Sequence, residues 1–228
     1  IREVLAAPHS IDGLHIDIST CIGISLYPED GENSDTLMLN ADSAMYHAKE
    51  NGRNRFYFFK PEMRQQISDR QAMEKGIYNA LRNQEFELFF QAQINLQNDA
   101  ITGVEALIRW RHPIEGLLPP AYFIPAAEEC GAIIPVGRWV LQAACRQAQA
   151  WIEDGLDFNV IAVNISAREF DDHEFLEHVG EVLRQTGLEP SRLELEITET
   201  VLMKNIQTST TTLHALREMG IKISIDDF

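Results

Sequence analysis

Three short runs decide the fold: NVIAVNI at residues 159–165, RLELEI at 192–197, and IKISI at 221–225, the last followed by Asp226-Asp227. Each has the length and β-branched content of a strand. The spacing predicts amphipathic helices around them, over 135–151, 169–185 and 207–219. In the middle helix Phe175, Val179, Val182 and Leu183 share one face, Ser166 and Glu169 have the capping-box spacing that starts it, and Gly187 stops it. Two further strands are expected at 87–94 and 101–110, with a turn at Asn98-Asp99 between them. Alternating strand and helix, with apolar strands buried on both faces, predicts a parallel α/β sheet. A doubly wound sheet and a closed barrel share this pattern. No Gly-rich phosphate loop follows a strand, which weighs against the dinucleotide-binding versions. The strand ends favour the barrel. Glu105, Asn164, Glu196 and Asp226-Asp227 each fall at the end of a strand, and in a TIM barrel such ends converge on one mouth where the chemistry sits. Five strands are expected, three short of a complete eight-stranded barrel.

Upstream, the pattern is that of a different unit. A strand is expected over 16–26, a turn at Pro28-Glu29-Asp30-Gly31, and a helix over 36–50 with Leu37, Met38, Ala41, Ala44, Met45 and Ala48 as its core stripe. Asn51-Gly52 ends the helix, and a short aromatic strand follows at 55–59. Two strands and a helix remove too little apolar surface from water to offset chain entropy on their own. Residues 61–82 read as a connecting helix. The expected organisation is therefore 1–60, a connector over 61–82, and 83–228.

Composition narrows the chemistry. The chain has 228 residues, 45% hydrophobic and 24% charged, with a net charge of −16. That excess of acid disfavours a nucleic-acid polymer as partner, because such binding rests on Lys and Arg at phosphates. Both parts, before and after Lys60, carry more acid than base. No apolar run approaches the roughly 20 residues of a membrane-spanning helix. The opening Ile1-Arg2-Glu3-Val4 reads neither as a signal peptide nor as a natural N-terminus. Cys21, Cys130 and Cys145 are odd in number, far apart and without CxxC spacing, which points to a reducing, cytoplasmic setting.

Oxygen-bearing groups on separate strands suit a hard divalent cation such as Mg²⁺ or Mn²⁺. Neighbouring acids such as Asp226 and Asp227 can serve two ions, an arrangement used on phosphate esters. Any one of these residues is also ordinary as a solvated strand cap. His112 is expected to serve loop structure, and Glu128-Glu129 to be a solvated edge.

Several motifs acting together are more specific. Gly103-Val-Glu-Ala-Leu-Ile-Arg-Trp110 resembles the signature of the EAL-domain family of cyclic di-GMP phosphodiesterases. Phe90-Gln91-Ala92-Gln93, Phe123-Ile-Pro-Ala-Ala-Glu128, Val163-Asn164-Ile165-Ser166, Glu194-Leu-Glu-Ile-Thr-Glu199 and Ile225-Asp226-Asp227-Phe228 follow in the family's order, from about residue 70 onward. The first sixty residues resemble the end of a GGDEF diguanylate cyclase domain, through Ser19-Thr-Cys-Ile-Gly-Ile-Ser25, Ala41-Asp42-Ser-Ala-Met-Tyr-His-Ala-Lys49 and Asn51-Gly-Arg-Asn54.

This resemblance implies an incomplete EAL-type TIM-like (β/α) barrel, its N-terminal two-thirds, preceded by the C-terminal part of an α/β GGDEF domain. It implies a bacterial enzyme that hydrolyses cyclic di-GMP to pGpG with two Mg²⁺ or Mn²⁺ ions. It also implies a homodimer through the EAL domain and an upstream sensory or GGDEF region. Glu105, Asn164, Glu196 and Asp226 match the family's metal ligands, and Asp227 the second acid at the metal pair. Glu199 matches an acid that braces the loop beside the dimer contact. Gln91 and Arg109 match residues that hold phosphate and sugar, and Leu107 one that lies along a guanine. Ala92 departs from the family's usual Pro, at a position expected to shape a turn. A cyclic di-GMP receptor without hydrolysis, or a dimerisation scaffold, are the alternative expectations.

Overall fold

The structure is a computed structural model that describes residues 9–11, 14–16, 20–52, 54–156, 158–198 and 206–226. It divides into two compact units, Ile1–Ala72 and Met73–Phe228.

In the first unit, strands β1 (His9–Ile11) and β2 (Leu14–Ile16) form an antiparallel hairpin. Strands β3 (Ile22–Ile24) and β4 (Phe56–Phe58) pair in parallel, with helix α1 (Ser34–Glu50) as the crossover between them. Asn33 starts α1 by accepting the Thr36 N–H at 2.8 Å, one of the orphan donors that every helix start must satisfy. Gly23 lets the helix lie on the strand, since a Cβ there would sit 1.8 Å from the Ala41 carbonyl oxygen. The strand expected over 16–26 is shorter than its pattern. Ile16 belongs to β2, residues 17–19 lie outside those described, and the Leu26 N–H turns to Asp30 Oδ2 at 2.7 Å, leaving β3 at 22–24. Met38 is not core: it is 74% exposed, because among the described residues α1 packs mainly on two short strands, β3 and β4, and buries Asn40, Ser43, Ala44 and Ala48 instead.

Helix α2 (Pro61–Asn83) follows, and the division between the units falls inside it, after Ala72.

In the second unit a six-stranded sheet is built from β5 (Phe86–Ile94), β6 (Ile101–His112), β7 (Gly116–Leu118), β8 (Val160–Ile165), β9 (Leu193–Thr198) and β10 (Lys222–Asp226). Its order is β10-β9-β8-β6-β5, with β7 on β6. β6, β8, β9 and β10 are mutually parallel, as expected, whereas β5 and β7 are antiparallel to β6. The connections from β5 to β6 and from β6 to β7 are short, and such links can close only antiparallel pairs. Asp99, with φ +54°, and the Asn95 carbonyl that receives its N–H form the first of these turns. At the second, His112 Nδ1 accepts the Ile114 and Glu115 N–H groups, the loop role expected of it. Ala92 lies within β5 opposite Val104 rather than at a turn.

The parallel strands are joined through helices α3 (Pro120–Cys130), α4 (Ile133–Glu153), α5 (Ala167–Phe170), α6 (Phe175–Thr186) and α7 (Ile206–Glu218). The strand β7 did not stand out in the sequence. Helix α3 carries Pro125 in its interior and starts at two prolines. The helix expected over 169–185 is broken into α5 and α6. Asp172 in the break accepts Arg138 Nη2 at 2.9 Å and the Glu174 N–H at 3.4 Å, which holds the intervening turn. Burial pushes the Asp172 carboxyl up, but the Arg138 guanidinium and the Glu174 N–H outweigh it and hold the group below its usual value.

The core lies between the sheet and α4 and α6. Trp110, Phe123, Leu141, Ile161, Val163, Val179, Leu193, Leu195 and Ile197 are essentially buried, each such side chain contributing about 1.5–3 kcal/mol. Along β6, β8 and β9 the residues facing this core alternate with residues on the opposite face.

Candidate active site

That opposite face carries the expected chemistry, and strand register shows why. Across β5 and β6, Gln91 stands opposite Glu105, Phe89 opposite Leu107, and Glu87 opposite Arg109. Glu105 pairs with Ala162, two residues before Asn164; Asn164 pairs with Glu196; Glu196 pairs with Ser224, two residues before Asp226. Side chains two apart on a strand share a face. Gln91, Glu105, Leu107, Arg109, Asn164, Glu196 and the Asp226 position therefore all lie on the face away from the core. Asn164, Glu196 and Asp226 lie in the C-terminal halves of β8, β9 and β10, but Glu105 does not end its strand as expected: β6 runs on for seven residues beyond it, and Glu105 lies near the end of only the 103–106 stretch that pairs with β8.

Asn164 Nδ2 donates to Glu105 Oε1 at 2.8 Å across the β6–β8 seam. Glu105 and Glu196 are half-buried, and Asn164 and Gln91 are exposed. The side chain of Asp226, and Asp227 and Glu199 altogether, lie outside the described residues. Among the described residues no three His, Cys, Asp or Glu side chains gather as a metal cluster. The expected donors are oxygens throughout, without thiolate or imidazole, on one face of successive strands. That chemistry fits a hard divalent cation.

Arg109 is half-buried, donates from Nη1 to the Ile108 carbonyl at 2.8 Å, and lies over the Phe89 ring with 5.5 Å from Cζ to the centroid. β6 pairs with β8 only over 103–106, then diverges toward β5 and β7. The gap is a cleft of about 320 Å³ that includes Leu107, Asn164, Glu196, Ile124, Val136 and Glu128 in its lining. Glu128 is thus half-buried in the cleft wall and not the solvated edge its sequence suggested. Being one turn from Ile124 on an amphipathic helix was the signal available.

Glu169 also reaches this cleft and is 7% exposed. It completes a capping box with Ser166 as the spacing predicted. Burial pushes its carboxyl up to about 7, against the Ser166 hydrogen bonds that favour the ion, and Glu128 adds to the rise. Its depth was not readable from sequence, because capping-box acids are normally solvated.

Comparison with known proteins defines the class. Residues 74–228 match the model of the EAL domain, and residues 1–55 that of the diguanylate cyclase, GGDEF domain. The chain belongs to the EAL-domain family, whose fold is a TIM-like barrel; the sheet of the second unit, with helices on one face and acids on the other, is part of that architecture. It is 42% identical over 225 residues, 98% of this chain and 33% of the relative, to the bifunctional diguanylate cyclase/cyclic di-GMP phosphodiesterase MucR of Pseudomonas aeruginosa. It is 35% identical over 224 residues, 98% of this chain and 34% of the relative, to the cyclic di-GMP phosphodiesterase PdeR of Escherichia coli. The chain spans about a third of the length of these curated relatives. Among solved structures, the MucR phosphodiesterase in complex with cyclic di-GMP superposes with a TM-score of 0.66 at 41% identity, covering 69% of this chain and 64% of that one.

Proposed function

We propose that this chain forms part of a metal-dependent phosphodiesterase that hydrolyses cyclic di-GMP to pGpG in bacterial second-messenger signalling. The observation that carries the reading is the alignment of Glu105, Asn164, Glu196 and the Asp226 position on one sheet face, with Glu105 and Asn164 already in contact. The similarity to MucR and PdeR over 98% of the chain supports it.

In this reading Glu105, Asn164, Glu196, Asp226 and Asp227 hold Mg²⁺ or Mn²⁺, two ions in all. Bound there, such ions would lower the pKa of a coordinated water and offset charge building on the phosphate. Gln91 and Arg109 hold the phosphate and sugar, and Leu107 supports a guanine. Glu199 braces the loop beside a homodimer contact. Residues 1–60 are the C-terminal remnant of a GGDEF domain, 61–82 the connecting helix, and 83–228 the N-terminal two-thirds of the EAL domain, with a sensory or GGDEF region upstream. A cytoplasmic setting fits the three free cysteines. No helix among the described residues is long and apolar enough to cross a membrane.

The test is pGpG formation by the full-length protein across Mg²⁺ and Mn²⁺ titrations, with Asp226→Asn and Asp227→Asn beside it. Turnover by the unmodified protein, and partial rescue of the variants by Mn²⁺, which binds such ligands more tightly than Mg²⁺, is the expected result. Cyclic di-GMP binding without product at any metal concentration would replace the hydrolase by a receptor.

A further inference from the structure

Arg109 and Arg111 point from β6 to the same face, and Glu87 stands directly opposite Arg109 in register. The register alone would let Glu87 neutralise Arg109. The structure pairs it otherwise: both Glu87 oxygens accept Arg111 Nη2, at 2.7 and 3.0 Å. Among the described residues Arg109 has no carboxylate partner. Its guanidinium is restrained instead by the Ile108 carbonyl and by the face of Phe89.

Phe89 is otherwise unaccounted for. It is 43% exposed on the polar face of the sheet, next to Leu107 across the strand pair. The neighbouring Phe86 and Phe90 turn toward the core and pack on Trp110 and Trp151. An aromatic face restrains a guanidinium without neutralising it or using its N–H donors, of which Arg has five in a fixed fork. A carboxylate in the same place would compete with an incoming phosphate.

We infer that Phe89 is a positioning residue for Arg109, holding the guanidinium ready for an anionic phosphate while Arg111 keeps Glu87 away from it. This rests on the proposed phosphodiester substrate and adds a residue to that site. Phe89 makes no contact with the reacting atoms in this scheme, so its loss should weaken ground-state and transition-state binding alike.

The experiment is a double-mutant cycle in the full-length protein. Cyclic di-GMP binding is measured in Ca²⁺ and turnover in Mg²⁺. Phe89→Leu should raise Kd and KM roughly 3- to 30-fold, the range of a cation–π contact, and leave kcat within about twofold. Phe89→Tyr should restore the affinity. In the Arg109→Ala background Phe89→Leu should add less than about twofold, because the two residues act as one unit. A ligand-free readout accompanies these: the ring-current shift of the Arg109 Nε–H should vanish in Phe89→Leu and persist in Phe89→Tyr. An unchanged Kd in Phe89→Leu, or a full additive loss in the double variant, overturns the inference while leaving the hydrolase reading intact. Absence of both binding and product in the unmodified protein overturns the hydrolase reading, and with it the substrate role of Phe89, even where the ring-current shift is present.

Discussion

At the scale of single residues, two carboxyls illustrate opposite environments. Glu105 is half-buried within β6 and already meets Asn164. Replacing it with Ala removes a proposed ligand and leaves its neighbouring acids to repel one another. Turnover of the full-length protein should fall by about 100-fold or more, while cyclic di-GMP binding in Ca²⁺ falls far less; near-normal turnover would remove Glu105 from the ligand set. Glu169 is buried, near Glu128 in the cleft wall and with Arg138, Asp172 and His178 around its other side. Its folded-state pKa of about 7 stands above the ordinary value of 4.5. Between those values the folded chain binds more protons than the unfolded one, so this group's stabilising contribution is complete below about 4.5 and is lost as pH rises through 7. The loss amounts to roughly 3 kcal/mol at most. Glu169→Gln should therefore flatten the fall in urea midpoint between pH 5 and pH 8. A variant whose pH profile parallels the unmodified protein would show that Glu169 ionises freely in the fold.

Among elements, the turn after β8 matters most, because it sets the end of the strand that carries Asn164. Ser166 accepts the Glu169 N–H, and Glu169 in return accepts the Ser166 N–H at 3.0 Å and the Ser166 hydroxyl at 2.5 Å. Helix α5 has only four residues, so it depends on that box more than a longer helix would. Ser166→Ala should cost about 1 kcal/mol in chemical denaturation, and a cost near zero would mean that the tertiary contacts of α5 suffice. Helix α4 meets the same turn through Gly137, where a Cβ would lie 1.5 Å from Glu169 Oε1. Gly137→Ala forces the carboxylate out of its seat, and overpacking of this kind costs about 1–3 kcal/mol. Its urea midpoint should fall accordingly, and an unchanged midpoint would show that Glu169 can move aside without penalty.

For the whole molecule, the open sheet is the dominant fact. Among the described residues β10 pairs only with β9. An unpaired parallel edge is a template for pairing with another chain. Residues 1–228 expressed alone should therefore aggregate or remain molten, in spite of the net charge of −16 that favours solubility. A sharp cooperative thermal transition from a monomeric sample would contradict this.

Much of the fold is legible in the chain because its cues are local. The apolar strands at 160–165 and 193–198, the stripe of Phe175, Val179, Val182 and Leu183, and the Ser166–Glu169 box each repeat at the period of one element, and the structure reproduces them. The sharing of one face by Gln91, Glu105, Leu107, Arg109, Asn164 and Glu196 was implicit in their placement on strands, but needed the pairing register to become geometry. Other features have no local cue. The exposure of Met38 depends on how little sheet α1 finds to cover. The break at Asp172 depends on Arg138, distant in sequence on another helix. The burial of Glu169 depends on the approach of Gly137, and the freedom of Arg109 depends on Arg111 capturing Glu87. Periodicity and capping act within a few residues and so are written along the chain. Desolvation and the choice among charged partners depend on groups brought together across it, and only the tertiary structure decides them.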